Sequence, residues 1–399
     1  MIVRKLFSAV LGLIAISTGS SVVGVSIVNA AELSQYTAIR VQKANQLAQD
    51  EKFAEAIQAL RKIETSKSYD QAFVARMLGV FYWQDGQTQP AIKQLKLAVE
   101  SKKLEDEQAW VTEKMLADLL LSDQQFSASL PHYYQLAKQV PESQTEDQIW
   151  LRIAQAHYQI EQWKAVIPAI DKYRRFQVKD ELQPLSLKLG AQLQLKRWND
   201  AIPTLEKLVS LQPDKVNWWR QLVSLQLQQG QNKQALSTLA LAKGQGVALS
   251  QQDRVLLAQL YAQRGIPERA AIELSQLEEA ATDLDLIVSQ ASYWQQAREW
   301  QKATKQWQLA AKQAAKYHWN VAQLLVQEGQ YQQALTVLDR VQGRKADVAL
   351  AKTRAYYKLN QLEQALIHAK QADNIDPSSQ SKSWIKYLSQ LRRANQTVS

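Results

Sequence analysis

The stretch Ala322–Val341, AQLLVQEGQYQQALTVLDRV, constrains this chain more than any other. Val321, Ala322 and Leu325 recur at helical spacing before Gly329, and Ala334, Leu335, Leu338 and Val341 do so after it. The pattern predicts two short amphipathic helices joined by a tight turn at Gly329. Ala322 and Ala334 are small where the two helices must approach, and Tyr331 is large enough to plug the hinge. A hairpin of this size cannot bury its apolar faces alone, so it needs a copy of itself on each side.

The copies are present. The small residue at the Ala334 position recurs at Ala56, Ala91, Ser129, Val166, Ala201, Ala235, Ala270, Ala303 and Ala365, at intervals of 31 to 38 residues. The aromatic three residues earlier recurs as Phe53, Phe126, Trp163, Trp198 and Trp300. The small residue of the first helix recurs as Ala44, Gly79, Ala117, Ala154, Gly190, Ala258 and Ala291, with Tyr82, Tyr261 and Tyr356 three residues after its place. Gly86, Gly230, Gly265 and Gly329 mark turns. Gly190 to Ala201 is eleven residues where Ala322 to Ala334 is twelve, so the fifth turn is expected to be one residue short.

This arrangement resembles the tetratricopeptide repeat family, whose period is about 34 residues. The resemblance implies an all-α, right-handed solenoid of about ten helix-turn-helix repeats filling Thr37–Val398. Residues 31–399 are expected to form a single domain, because a solenoid grows in one dimension without a boundary. The polar stretch Pro141–Asp147 is the expected place for a bend. Ser379–Asn395 reads as a capping helix, with Trp384, Ile385 and Leu388 facing inward and Lys382, Lys386, Arg392 and Arg393 facing water.

Residues 1–30 read differently. Arg4 and Lys5 precede Leu6–Ala30, which carries no charge and ends Val28-Asn29-Ala30. This predicts a secretory signal peptide cut after Ala30. The alternative is an uncleaved anchor, but Gly12, Gly19, Gly24 and five serines make a poor membrane helix and favour cleavage. The expected location is the periplasm, near a membrane but not integral to it. The chain has no cysteine, which an oxidising compartment permits.

Net charge is +10, and the excess lies after Pro141. Acidic residues are interleaved throughout and no dense Lys/Arg stripe occurs, so nucleic acid is not expected as a partner. His132, His157, His318 and His368 are scattered over four repeats without metal-ligand spacing. No phosphate-binding glycine loop, HExxH or nucleophile-elbow pattern occurs. Neither enzyme activity, a cofactor nor a metal is expected. His157 takes a place otherwise held by Tyr and reads as a packed core histidine.

Trp150, Trp163, Trp198, Trp219, Trp294, Trp300 and Trp307 fall on packing positions, whereas Trp83, Trp110, Trp218, Trp319 and Trp384 do not. In the resembled family the first helices line a concave groove. Carried over by position, that groove holds Arg76, Trp83, Gln155, Tyr158, Arg220, Gln228, Gln263, Trp319, Gln323, Arg354 and Tyr357. Amides can both donate to and accept from a peptide backbone, and Tyr and Trp add contact area at low entropic cost. The other reading is that glutamine covers solvated helix faces in a Gln-rich chain. The groove reading implies a protein or peptide partner.

The N-terminal stretch VQKANQLAQDEKFAEAIQALRKIETSKSYDQAFVARMLGVFY is similar to the start of periplasmic repeat proteins that accompany TonB-type complexes. That resemblance implies a TonB/ExbB/ExbD-type partner. A scaffold for polysaccharide export or peptidoglycan machinery is the alternative.

The in-phase recurrence predicts that Ala334 is closed in by its partner helix. Ala334→Leu is expected to cost roughly 1–3 kcal/mol by overpacking. An unfolding midpoint in urea equal to that of wild type would show the register to be wrong.

Overall fold

Helix boundaries follow the punctuation just described. The computed structural model describes residues 33–176 and 179–398. It contains 21 α-helices, with no strand among the described residues. The expected signal peptide lies outside the described residues. No helix among them is long and apolar enough to cross a membrane.

The chain separates into two compact units, Met1–Ile160 and Glu161–Ser399. The first holds α1 (Gln35–Gln49), α2 (Phe53–Arg61), α3 (Ser68–Gln84), α4 (Thr88–Glu100), α5 (Asp106–Ser122), α6 (Phe126–Leu136) and α7 (Asp147–Gln159). The second begins with α8 (Trp163–Arg174), α9 (Leu182–Gln194), α10 (Trp198–Leu211), α11 (Val216–Gln228), α12 (Asn232–Gly244), α13 (Gln251–Gln263) and α14 (Pro267–Ser275). It continues through α15 (Leu284–Gln296), α16 (Trp300–Gln313), α17 (His318–Gln327), α18 (Tyr331–Leu338), α19 (Lys345–Lys358), α20 (Leu362–Ile375) and α21 (Ser379–Val398). Within each unit, consecutive helices pack on one another. In chain order the helices alternate as first and second helices joined by short turns, with α21 last.

Ala56, Ala91, Ser129, Val166, Ala201, Ala235, Ala270, Ala303, Ala334 and Ala365 are all 0% exposed. Each lies in the first turns of a second helix. A larger side chain there would hold the neighbouring helix away, so this one position sets how closely the helices pack. Gly79 shows how little space remains. A Cβ there would lie 2.6 Å from Leu95 Cγ, across the contact between α3 and α4.

Each of the ten turns between a first and a second helix contains a left-handed residue. Gly86, Gly230, Gly265 and Gly329 take it in four, and Glu51, Gln124, Glu161, Lys196, Arg298 and Asn360 in the other six. At Gly329 the turn is closed by two bonds: the Gln330 N–H donates to the Leu325 carbonyl at 2.8 Å and the Gly329 N–H to Val326 at 3.3 Å. This is the Schellman arrangement, in which a left-handed residue lets the last carbonyls of a helix find donors. The Arg197 N–H donates to the Gln192 carbonyl at 2.8 Å, so the turn at Lys196 has the same form. The fifth turn is therefore not short. Leu189, not Gly190, occupies the first-helix packing position, and Leu189 to Ala201 is twelve residues.

Several other sequence expectations change. The α3 helix starts at Ser68. Its Asp70 is fully buried. The carboxylate accepts from the Ser34 backbone N–H at 3.1 Å, from the Ser34 hydroxyl, from Thr37 Oγ1 at 2.7 Å and from Thr65 Oγ1 at 3.3 Å. Ser34 caps α1, so this one carboxylate fastens the start of α1 to α3. Burial alone would raise its pKa, but the hydrogen bonds outweigh burial and hold it below the ordinary carboxylate value. In α21, Leu388 is fully buried and Trp384 and Ile385 pack against the same cluster. Lys382, Lys386 and Arg393 are exposed, but Arg392 is half-buried and pairs with Glu363 at 3.5 Å.

Two outcomes follow for stability. A non-glycine residue in the left-handed region costs about 1–2 kcal/mol, and glycine returns roughly 0.5–1 kcal/mol of that through its freer unfolded chain. Lys196→Gly is therefore expected to raise stability by about 0.5–1 kcal/mol, read as a higher urea midpoint; a lower midpoint would contradict the strain at this turn. For Asp70 the folded pKa lies below the unfolded one. Its stabilisation is thus present above the unfolded pKa and is lost as pH falls through the folded value. Asp70→Asn is expected to cost about 1–3 kcal/mol at pH 7, with a gap to wild type that narrows below about pH 4. A gap constant from pH 7 to pH 2.5 would refute the assignment.

Candidate peptide-binding surfaces

In the first unit the packing leaves a cleft of about 410 Å³. Gly79, Val80 and Trp83 of α3, Leu95 of α4, and Met115, Asp118, Leu119, Leu121 and Ser122 of α5 line it, with Arg152 of α7. Gly79 and Trp83 are four residues apart, and Met115, Asp118, Leu119 and Ser122 form a stripe at helical spacing, so each set faces one way. The deep wall belongs to a cluster containing Ala91, Ile92, Leu95, Leu116 and Leu119, against which Trp83 and Met115 pack.

Asp118 is the polar centre of this cleft. Tyr133 Oη donates to Oδ1 at 2.6 Å and Lys114 Nζ to Oδ2 at 2.6 Å. Arg152 Nε lies 4.0 Å from Oδ1, and Arg152 Nη1 donates to Gln155 Oε1 at 3.0 Å. Burial and the adjacent Asp118 charge push the Tyr133 hydroxyl pKa far up, so it remains a donor. Two cations, Lys114 and Arg152, share the one Asp118 carboxylate.

The second unit holds another cleft, of about 760 Å³, at the ends of α10 and α12 beside α11. Its floor is Val209, Trp219, Leu222 and Val247, and its charged lining is Glu206 and Asp214. Trp219 Nε1 donates to the Pro213 carbonyl at 2.7 Å, which fixes the indole as floor.

The groove residues expected from sequence divide into three groups. Gln228, Gln263, Gln323 and Arg354 are exposed on α11, α13, α17 and α19. Trp83, Gln155, Tyr158 and Trp319 are half-buried. Arg344 sits over the Trp319 ring at 5.7 Å. The remaining three are engaged within the protein. Arg76 is half-buried beside Phe73, and burial lowers its pKa. Arg220 donates from Nε and Nη2 to Asp253 Oδ2 at 3.1 and 2.9 Å, tying α11 to the capping box of α13. The Tyr357 and Tyr387 hydroxyls are 2.8 Å apart, and Tyr357 packs against Trp384, so α21 covers this ring.

Trp110 was expected off the packing positions, yet it is buried and its Nε1 donates to the Leu136 carbonyl at 3.2 Å. His157 is buried and shares a 2.7 Å hydrogen bond with Tyr134 Oη. No group of three or more His, Cys, Asp or Glu able to hold a metal occurs among the described residues. Arg152 and Asp118 are the polar cleft residues that sequence reasoning missed.

The described residues form successive helical hairpins, with exposed polar residues on α11, α13, α17 and α19. No family model matches the chain, and no curated protein matches it. Solved structures of tetratricopeptide proteins are similar at low overlap. One from Parabacteroides merdae is 13% identical, covers 66% of this chain and 100% of its own, and has a TM-score of 0.37. The C-terminal part of a repeat protein from Cytophaga hutchinsonii is 18% identical over 68% of this chain and 94% of its own, with a TM-score of 0.37. The Cut9–Hcn1 hetero-tetramer of the APC/C is 14% identical over 88% of this chain and 83% of that one, with a TM-score of 0.28.

Proposed function

We propose that this chain is a periplasmic scaffold that binds an extended, acidic segment of a protein partner along the first helices of its second unit. The observation that carries the reading is that Gln228, Gln263, Gln323 and Arg354 are exposed on the first helices α11, α13, α17 and α19. Exposed amides satisfy a peptide backbone in either direction. Charge supplies the preference for acid. Glu161–Ser399 carries 32 Lys and Arg against 21 Asp and Glu, whereas Leu33–Ile160 carries 14 against 16. The positive field speeds encounter with an acidic chain and weakens with salt.

The charge-free run Leu6–Ala30 supports export. The N-terminal similarity to proteins that accompany TonB-type complexes makes a TonB/ExbB/ExbD-type component the specific partner of this proposal. The test is capture from envelope extract with wild type and with a Gln263→Ala, Gln323→Ala, Arg354→Glu variant of unchanged helix content. The variant is expected to lose the captured partner at least about tenfold, as a few anchors dominate such interfaces. Equal capture at low and high salt would overturn the surface assignment. Identification of polymer synthases in place of TonB-type components would overturn the partner. N-terminal sequencing of the exported protein should begin at Ala31.

A further inference from the structure

The cleft of the first unit is a separate site with its own chemistry, and it rests on the scaffold reading. We propose that it holds a short segment of a partner protein in which a large apolar side chain, Leu, Met or Phe, is followed by Asp or Glu. The volume of about 410 Å³ is in the range of ligand pockets, roughly 300–1,000 Å³, and accommodates more than one side chain. Val80, Trp83, Leu95, Met115, Leu119 and Leu121 offer apolar wall. An apolar group entering it gains burial without leaving a polar wall group unpaired, since Asp118 already accepts from Tyr133 and Lys114.

Charge fixes the second half of the motif. Arg152 stands 4.0 Å from Asp118, a looser pair than Lys114 and Asp118 at 2.6 Å. Its side chain is 46% exposed at the mouth of the cleft. With Asp118 matched by Lys114, the Arg152 charge is available to an incoming carboxylate, and guanidinium binds carboxylate in a forked pair. Gln155, held against Arg152 at 3.0 Å, places an amide beside the same entrance. Hence the apolar group and the acid occupy adjacent places, as on neighbouring residues of an extended chain. The same charge argues against the chain's own residues 1–30 as occupant, because their charged residues, Arg4 and Lys5, are basic.

The experiment is selection of a random twelve-residue peptide display library on the purified full chain, in parallel on Arg152→Glu and Trp83→Ala variants that keep the wild-type helix content. Wild type is expected to enrich apolar-acidic pairs, and a synthesised winner should shift the Trp83 indole N–H resonance. Trp83→Ala should weaken that peptide at least about tenfold. Arg152→Glu should reject it and enrich apolar-basic pairs instead, a reversal that mere loss of folding cannot produce. Identical enrichment on wild type and Arg152→Glu would overturn the inference, as would no enrichment on wild type. A shift of the Trp83 resonance by dodecanoate but by no selected peptide would overturn it in favour of a lipid site. The Gln263, Gln323, Arg354 variant, altered only in the second unit, should select the same peptides as wild type. Failure of the cleft and failure of the second-unit surface are thereby read separately.

Discussion

The close approach of successive helices within each unit, at the small residue of the second helix, is the constraint on which the remainder depends. All ten of these residues are wholly buried, from Ala56 to Ala365. With a small side chain there, the larger residues nearby can interdigitate: around Ala303 and Ala334, Trp294, Trp307, Leu324 and Leu325 form one cluster. A helix pair held farther apart would lose those contacts together, because dispersion falls off within about 1 Å. The ridge of small residues therefore acts through what it lets its neighbours touch. Ser129 satisfies the same demand, donating its hydroxyl proton to the Phe126 carbonyl at 2.8 Å.

Much of this was legible in the sequence because size at a repeated position is visible in one-letter code. Turn geometry was legible only where glycine carried it. Gly86, Gly230, Gly265 and Gly329 announced four left-handed residues, while Glu51, Gln124, Glu161, Lys196, Arg298 and Asn360 adopt that conformation unannounced. The hydrogen bonds that close the turn, as at Arg197 to Gln192, offset the local strain. The same blindness misplaced the fifth repeat. Gly190 drew the register because it is small, yet the packing position there is filled by Leu189.

The candidate sites were less legible, for a physical reason. A helix position specifies direction but not which neighbour meets the side chain. Arg220 and Tyr357 sit where the repeat pattern turns outward, but Asp253 lies 33 residues on and Tyr387 30 residues on, and each takes up its partner. Trp110 lies off the packing pattern, yet the C-terminal end of α6 supplies the Leu136 carbonyl that its indole needs. Conversely, Arg152 drew no attention as a lone cation on α7. Its character comes from Asp118 and Gln155, the first of them 34 residues away on α5.

Repetition also locates where individuality can reside. Positions that hold helices together are confined to small or apolar residues in every repeat, so they can hardly distinguish one ligand from another. The two clefts illustrate the consequence. Both have apolar floors built from packing residues, Leu95 and Leu119 in one and Val209 and Leu222 in the other. They differ in their charged lining: Arg152 with Asp118 in the first, Glu206 with Asp214 in the second. An apolar floor favours burial of apolar groups in general, without direction or choice. Selectivity must come from the rim, where a like charge repels a ligand that an opposite charge would hold. A hairpin repeat can therefore alter what it binds by exchanging a few rim residues, while the small-residue ridge beneath them stays as it is.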